Sequence, residues 1–290
     1  MPSLPQLFPQ DAPVILDGAW GTQLQARGLL PGECPDLWNV TRPGAVAAVA
    51  TGYADAGSHI ILTNTFGASR IALSRFGADS RVLEINREGV RLSKEAAGTR
   101  ARVFASIGPT GKMLISGDVT KEDLTAAFDE QARALAGAGA DGFVIETMTE
   151  LAEATVAVEA ARKTGLPVVA CMTFDTGPKK DRTMMGLTPE QAAAGLEAAG
   201  ADVIGANCGQ GIEGYVAICR RLRSATGLPL WLKPNAGIPD LVNGRPVYHT
   251  TPDQFVRFVP QLISGGARFI GGCCGTSPEF IRKIRKTVSS

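Results

Sequence analysis

Six cysteines stand in this chain of 290 residues, and three of them are placed where chemistry can be built. Cys208 closes the segment 201–208, and the adjacent Cys273 and Cys274 close the segment 268–274. Both segments are short, rich in β-branched and apolar residues and bounded by glycine, which is the pattern of buried strands. If both are strands of one parallel barrel, three sulfurs meet at one rim. Three thiolates fill three corners of a zinc tetrahedron and leave the fourth open, as a catalytic site requires. Neighbouring residues on a strand point to opposite faces, so Cys273 and Cys274 can share an ion only beyond the strand end. Gly272 and Gly275 permit the turn that this needs. The plainer reading is that a free cysteine is a small buried hydrophobe, and it covers Cys171 and Cys219 well. Cys34 lies in a Pro/Gly-rich loop and receives no role.

The other polar residues narrow the chemistry. The chain has two histidines. His59 falls at the start of a strand, on the opposite rim, and His249 falls in a loop, so an imidazole-rich hydrolytic site is not on offer. An all-sulfur site suits a fourth thiolate brought by a substrate. A thiol titrates near ~8.5, and a metal ion removes its proton outright. The thioether formed by attack on carbon is neutral and a weak ligand, so it leaves. Asp17 and Glu146 also stand at strand ends. Each has a structural reading, as partner of a nearby Arg or Lys or, for Asp17, as a cap before Gly18. On one rim the two can instead bracket a substrate ammonium, because a buried carboxylate is costly unless a cation answers it. The backbone N–H groups of the turn 17–22 offer a nest for a carboxylate, or simply a tight turn. Asn207, just before Cys208 at its strand end, is expected among the substrate-binding residues. Asn235, after Pro234, either orients substrate, fills the fourth metal position before substrate arrives, or makes a turn. Trp20, Trp38 and Phe66 lie near rim loops, where they either pack or face a cationic methyl donor.

These residues need a scaffold that gathers strand ends. Apolar runs near 14–17, 60–63, 103–106, 142–146, 168–173, 203–207, 230–233 and 269–272 read as strands buried on both faces. Helical patterns alternate with them near 43–57, 81–97, 121–138, 149–163, 189–199, 211–225, 252–265 and 277–286. Thr120, Thr188, Thr251 and Ser277 precede helix starts that carry Pro or acids in the first turn. Eight β-then-α units predict a single α/β domain over 1–290, a (β/α)8 TIM barrel. An open doubly wound sheet is the alternative, weakened by the lack of a glycine-rich turn after the first strand. A net charge of +1 points to no nucleic-acid and no membrane partner. Residues 1–12 show no signal peptide, and the cysteine usage fits reduced thiols in the cytoplasm.

The motifs together resemble one family. DGAWGTQL at 17–24, LTNTF at 62–66, VIET at 144–147, GANCG at 205–209, PNAG at 234–237 and GGCCGT at 271–276 are similar to the zinc-dependent homocysteine S-methyltransferases. The likeness is collinear from about residue 13 to about 286. It implies zinc on Cys208, Cys273 and Cys274, with homocysteine bound through its sulfur. It also implies that Asp17 and Glu146 hold the amino group and the Gly18–Ala19 backbone the carboxylate, with Thr63 nearby. Betaine-using animal members carry Tyr where this chain has Thr147, another Tyr where it has Gly67, and a C-terminal arm for tetramers, which is not expected here. The PNAG segment is more like the homocysteine module of cobalamin-dependent methionine synthase. The expected activity is methyl transfer to homocysteine, giving methionine. The donor is betaine, a sulfonium such as S-methylmethionine, or a separate methylcorrinoid protein. Two alternatives are a zinc hydrolase with Glu146 as base, and a non-catalytic zinc or corrinoid-partner module.

Overall fold

The computed structural model describes Leu4, Phe8, residues 12–242 and residues 245–289. Most of segment 1–12, where no leader is expected, lies outside the described residues. The strands are β1 (Val14–Ile15), β2 (Ile60–Leu62), β3 (Arg102–Ile107), β4 (Gly142–Met148), β5 (Val168–Met172), β6 (Val203–Gly211), β7 (Leu230–Asn235), β8 (Asp240–Val242), β9 (Arg245–Val247) and β10 (Ala267–Ile270). Eight of them form a parallel sheet in the order β1-β10-β7-β6-β5-β4-β3-β2. A parallel bridge between Leu16 and Ile60 joins its two edges. His59 completes that seam. Its N–H donates to the Ile15 carbonyl at 2.7 Å, and its Nδ1 accepts from the Ile15 N–H at 3.0 Å. The fold is the expected (β/α)8 barrel, and all eight strands expected from the sequence are present.

The helices follow their start signals. Thr120, Thr188 and Thr251 each form a capping box, with Asp123, Gln191 and Gln254 as the reciprocal partners. Ser277 makes no side-chain cap, and Pro278 opens that helix instead. The helix expected over 252–265 divides into Pro252–Val256 and Val259–Ser264. Pro260 explains the division, since it has no N–H to give to the carbonyl four residues earlier. Short helices at Gly21–Gln25, Trp38–Thr41 and Arg70–Ser74, and the antiparallel β8-β9 hairpin, elaborate loops after β1, β2 and β7. No helix among the described residues is long and apolar enough to cross a membrane.

The barrel interior is filled from below by an apolar cluster that includes Phe104, Val144, Trp231 and Phe269, with Cys171 among them. Trp231 stacks on Phe269 at 5.4 Å and on Phe104 at 6.3 Å. Gly205 makes room for this ring's strand, because a Cβ there would meet the Trp231 carbonyl oxygen at 1.8 Å. Side chains on a strand return to the same face every second residue. Two residues beyond Phe104, Val144, Gly205 and Trp231 stand Ser106, Glu146, Asn207 and Lys233, all buried. A polar layer therefore lies directly on the apolar one, at the C-terminal ends of β3, β4, β6 and β7.

Candidate active site

The three expected sulfurs converge. The Sγ atoms of Cys208, Cys273 and Cys274 all lie within 4.8 Å of one another, and Cys208 to Cys274 is 3.9 Å. Four ligands at ~2.3 Å around tetrahedral zinc stand ~3.8 Å apart, so the trio is spaced for one ion. Cys208 reaches the rim through an irregularity in β6. Asn207 pairs with Lys233, yet the next pairing is Gly211 with Asn235, so β6 spends two more residues than β7 between them. Bulges of this kind re-aim side chains. Cys208 takes a left-handed φ of 62°, and the Tyr215 hydroxyl donates to its carbonyl at 2.7 Å. Such a backbone costs on the order of 1–3 kcal/mol and persists only where its surroundings impose it.

Cys273 and Cys274 lie beyond β10, in the turn that their sharing of an ion requires. The Gly272 N–H donates to the Asp17 carbonyl at 3.0 Å, and the Cys273 N–H donates to the Pro234 carbonyl at 2.8 Å. The Ala236 N–H donates to the Cys274 carbonyl at 2.9 Å, so the turn is tied to both neighbouring strand ends. Gly275 has φ 82°, and a Cβ on it would stand 2.3 Å from the Tyr248 ring. Hydrogen bonds from Cys273 and Cys274 pull the Cys208 thiol down, while the bond to Cys208 pushes Cys273 up. Three thiolates this close repel one another, so a cation is needed for all three to ionise together. Asn235 ends β7, and its buried Oδ1 has no hydrogen-bond partner. Three sulfurs and one spare oxygen fit a four-coordinate zinc site with one replaceable ligand.

The acids come to the same rim, but with a protein cation between them. Asp17 is fully buried, and its Oδ1 lies 2.5 Å from Lys233 Nζ. Its Oδ2 accepts from the Leu62 N–H at 2.8 Å and from Trp20 Nε1 at 2.9 Å. Glu146 Oε1 accepts from the Ser106 hydroxyl at 2.5 Å, and Oε2 accepts from Asn207 Nδ2 at 3.3 Å. Burial pushes Glu146 up to about 7, against the opposing pull of Lys233. For Lys233, burial disfavours the charge, but Asp17 and Glu146 outweigh it and hold the ammonium above its ordinary value. Glu146 also sits at a bulge. Ile145 pairs with Ala170 and Met148 with Met172, and Thr147 between them has φ 61°. Asn207 braces this bend, accepting from the Thr147 N–H at 2.7 Å and donating to the Thr147 hydroxyl at 2.7 Å.

The remaining expected residues are close by. The Thr63 hydroxyl lies 2.5 Å from that of Thr65 and accepts from the Ser106 N–H at 3.1 Å. The Ala19 N–H donates to Thr276 Oγ1 at 3.1 Å, and its carbonyl accepts from the Tyr53 hydroxyl at 2.6 Å, so part of that turn is already engaged. A Cβ on Gly18 would stand 2.7 Å from Thr276 Oγ1. A cavity of about 400 Å³ has the sulfur trio, Glu146 and Lys233 in its lining, along with Trp20, Phe66, Phe76 and Arg75. Trp38 is not in that lining; it is buried under the Arg42 guanidinium, 4.6 Å from its ring centre. His249 pairs with Asp240 at 2.9 Å on the hairpin side. Lys233 was not among the expected site residues. Its signal was parity with Trp231, visible once Trp231 is recognised as pointing inward.

A closed parallel barrel with sulfurs, acids and a cavity at its C-terminal rim is the frame of an enzyme that works at its strand ends. The family model for homocysteine S-methyltransferase matches residues 14–288, and the chain belongs to that family. It is 29% identical to methionine synthase of Mycobacterium tuberculosis over 296 residues, covering 96% of this chain and 25% of that protein. For methionine synthase of Mycobacterium leprae the identity is 28%, covering 95% of this chain and 24% of that protein. The chain thus spans about a quarter of the length of these relatives. The metallated form of the homocysteine methyltransferase MmuM from Escherichia coli matches with a TM-score of 0.80 and 25% identity, covering 98% of this chain and 99% of that one.

Proposed function

We propose that this protein transfers a methyl group to the sulfur of homocysteine, giving methionine, with zinc held by Cys208, Cys273 and Cys274. The convergence of those three sulfurs in a member of this family carries the reading. Zinc bound there would take the place of the thiol proton and keep the acceptor sulfur nucleophilic at neutral pH. The protein's own part is positional. Asn235 Oδ1 is the spare donor that an incoming sulfur would displace. Asn207 and Ser106 fix Glu146, and Thr63 fixes Ser106 in turn. Glu146 and the turn at Gly18 line the cavity where the polar end of the acceptor would lie, while both backbone groups of Ala19 are taken by Thr276 and Tyr53. Trp20, Phe66 and Phe76 wall the cavity with aromatic faces, which exclude water and suit a cationic methyl group. Proximity and alignment of donor carbon and sulfur supply most of the rate.

The donor is a small onium compound or a methylcorrinoid; the likeness to methionine synthase supports the corrinoid. A screen of the zinc-loaded protein with homocysteine and, in turn, betaine, S-methylmethionine and a methylcorrinoid tests the reading. Methionine is expected with at least one donor. No methionine with any of them, from protein that holds one zinc, contradicts it.

A further inference from the structure

The functional reading leaves two charges of the cavity without a part. The lining holds two cations, Lys233 and Arg75, and two carboxylates, Glu146 and Asp36. Lys233 and Glu146 belong to the polar floor. Arg75 and Asp36 stand apart from it, on the loops after β2 and β1. Arg75 follows the short helix Arg70–Ser74 and is exposed. Its guanidinium lies 5.7 Å from the Phe76 ring centre and rests against Gly111, where a Cβ would stand 3.1 Å from Nη1. Its Nε reaches only the Ala72 carbonyl, at 3.4 Å, and no carboxylate among the described residues pairs with it. Asp36 is 3% exposed. It accepts from the Gly67 N–H at 3.0 Å and lies 3.7 Å from Cys34 Sγ, and no cation among the described residues answers it. A buried carboxylate without a cation is costly. Aromatic faces of Trp20, Phe66 and Phe76 line the same space. A lone acid, aromatic walls and a lone guanidinium match a molecule with a cation at one end and a carboxylate at the other.

We propose that Arg75 and Asp36 form a subsite for the methyl donor, with Arg75 pairing with the donor's carboxylate and Asp36 facing its onium centre, so that the barrel selects a zwitterionic onium carboxylate. The inference rests on the proposed methyl transfer and chooses among its donors. The acceptor thiol gives its proton to solvent and the S–CH3 bond forms. The onium–CH3 bond breaks with its electron pair left on the donor's nitrogen or sulfur, which becomes uncharged. The spent donor keeps its carboxylate but loses the charge that the acid and the rings hold. Homocysteine also carries a carboxylate, but in the proposed function its place is the turn at Gly18.

The test is calorimetric binding to the full zinc-loaded chain without turnover, both alone and with homoserine in the acceptor's place. Betaine and S-methylmethionine are each compared with their amides, which keep the onium centre and lose the carboxylate charge. At least one of the two acids is expected to bind about tenfold more tightly than its amide, and Arg75→Gln is expected to bring that ratio to about one. No preference in the wild type, or a preference that survives Arg75→Gln, overturns the inference. Asp36→Asn is expected to weaken acid and amide alike by about tenfold, and unchanged affinity for both overturns it as well. If that buried variant does not fold, Arg75→Gln, at an exposed position, decides. In the cobalt(II)-loaded chain a thiolate-to-cobalt absorption band reports homocysteine. Homocysteine binding weakened about tenfold by Arg75→Gln would assign Arg75 to the acceptor and overturn the inference. If neither onium compound binds and a methylcorrinoid gives methionine, this inference fails and the proposed function stands. No methionine with any donor sinks both.

Discussion

Glu146 shows how much of this site is decided by the surroundings of single residues. Its carboxyl is pushed up to about 7 by burial, from an ordinary 4.5, with Lys233 opposing. The folded state therefore holds the proton more tightly than the unfolded chain. The associated stability is fully present below the unfolded value and is lost as the pH rises through the folded one. Glu146→Gln removes this dependence. In metal-free protein the variant is expected to match wild type near about pH 4 and to exceed it near about pH 8 by on the order of 3 kcal/mol. Thermal or urea unfolding at both pH values checks this, and parallel profiles would contradict it. At this scale the sequence was informative where residue type limits the chemistry. Three cysteines and no suitably placed histidine leave few options, and the sulfurs do meet. What it did not reveal was the partner of Asp17. Pairing with a nearby Lys or Arg was one of its readings, but Lys233 is 216 positions away, and only the closed sheet brings the two together.

Two elements carry the site because they are irregular. β4 and β6 each lose register at the residues that matter, around Glu146 and Cys208. Thr147 and Cys208 follow with left-handed backbones, at φ 61° and 62°. The hydroxyl of Tyr215, on the helix after β6, holds the carbonyl of Cys208. Tyr215→Phe removes that hold and no sulfur. It is expected to weaken metal binding by about tenfold, as loss of a residue that orients a ligand does. Competition with a chromophoric chelator measures it, and unchanged affinity would show that Cys208 keeps its conformation unaided. Periodicity made the strands legible, because eight apolar runs between capped helices have few other solutions. The bulges left no such trace. A strand that breaks register keeps its apolar residues, and the break appears only when the partner's register is known. The division at Pro260 and the hairpin after β7 were missed for related reasons. A run of helical pattern hid the first, and the second is exposed and carries no apolar alternation at β8.

For the molecule as a whole, the barrel turns eight separate strand ends into one surface. The apolar layer under Trp231 seals it from below, and the polar layer of Ser106, Glu146, Asn207 and Lys233 forms its floor. The sulfurs stand at the edge of that floor, at the ends of β6 and β10, which flank β7 in the sheet. That adjacency was the decisive inference from sequence, since Cys208 and Cys273 lie 65 positions apart and only the pairing of β6 and β10 with β7 brings them to one rim. The family match from 14 to 288 and the barrel agree with it. The central claim is that one ion sits on these three sulfurs with its fourth place open to a thiol. X-ray absorption at the zinc edge tests it most directly, on loaded protein before and after homocysteine is added. The account predicts three sulfurs and one lighter atom before, and four sulfurs at roughly 2.3 Å after. A coordination shell that homocysteine leaves unchanged would contradict it.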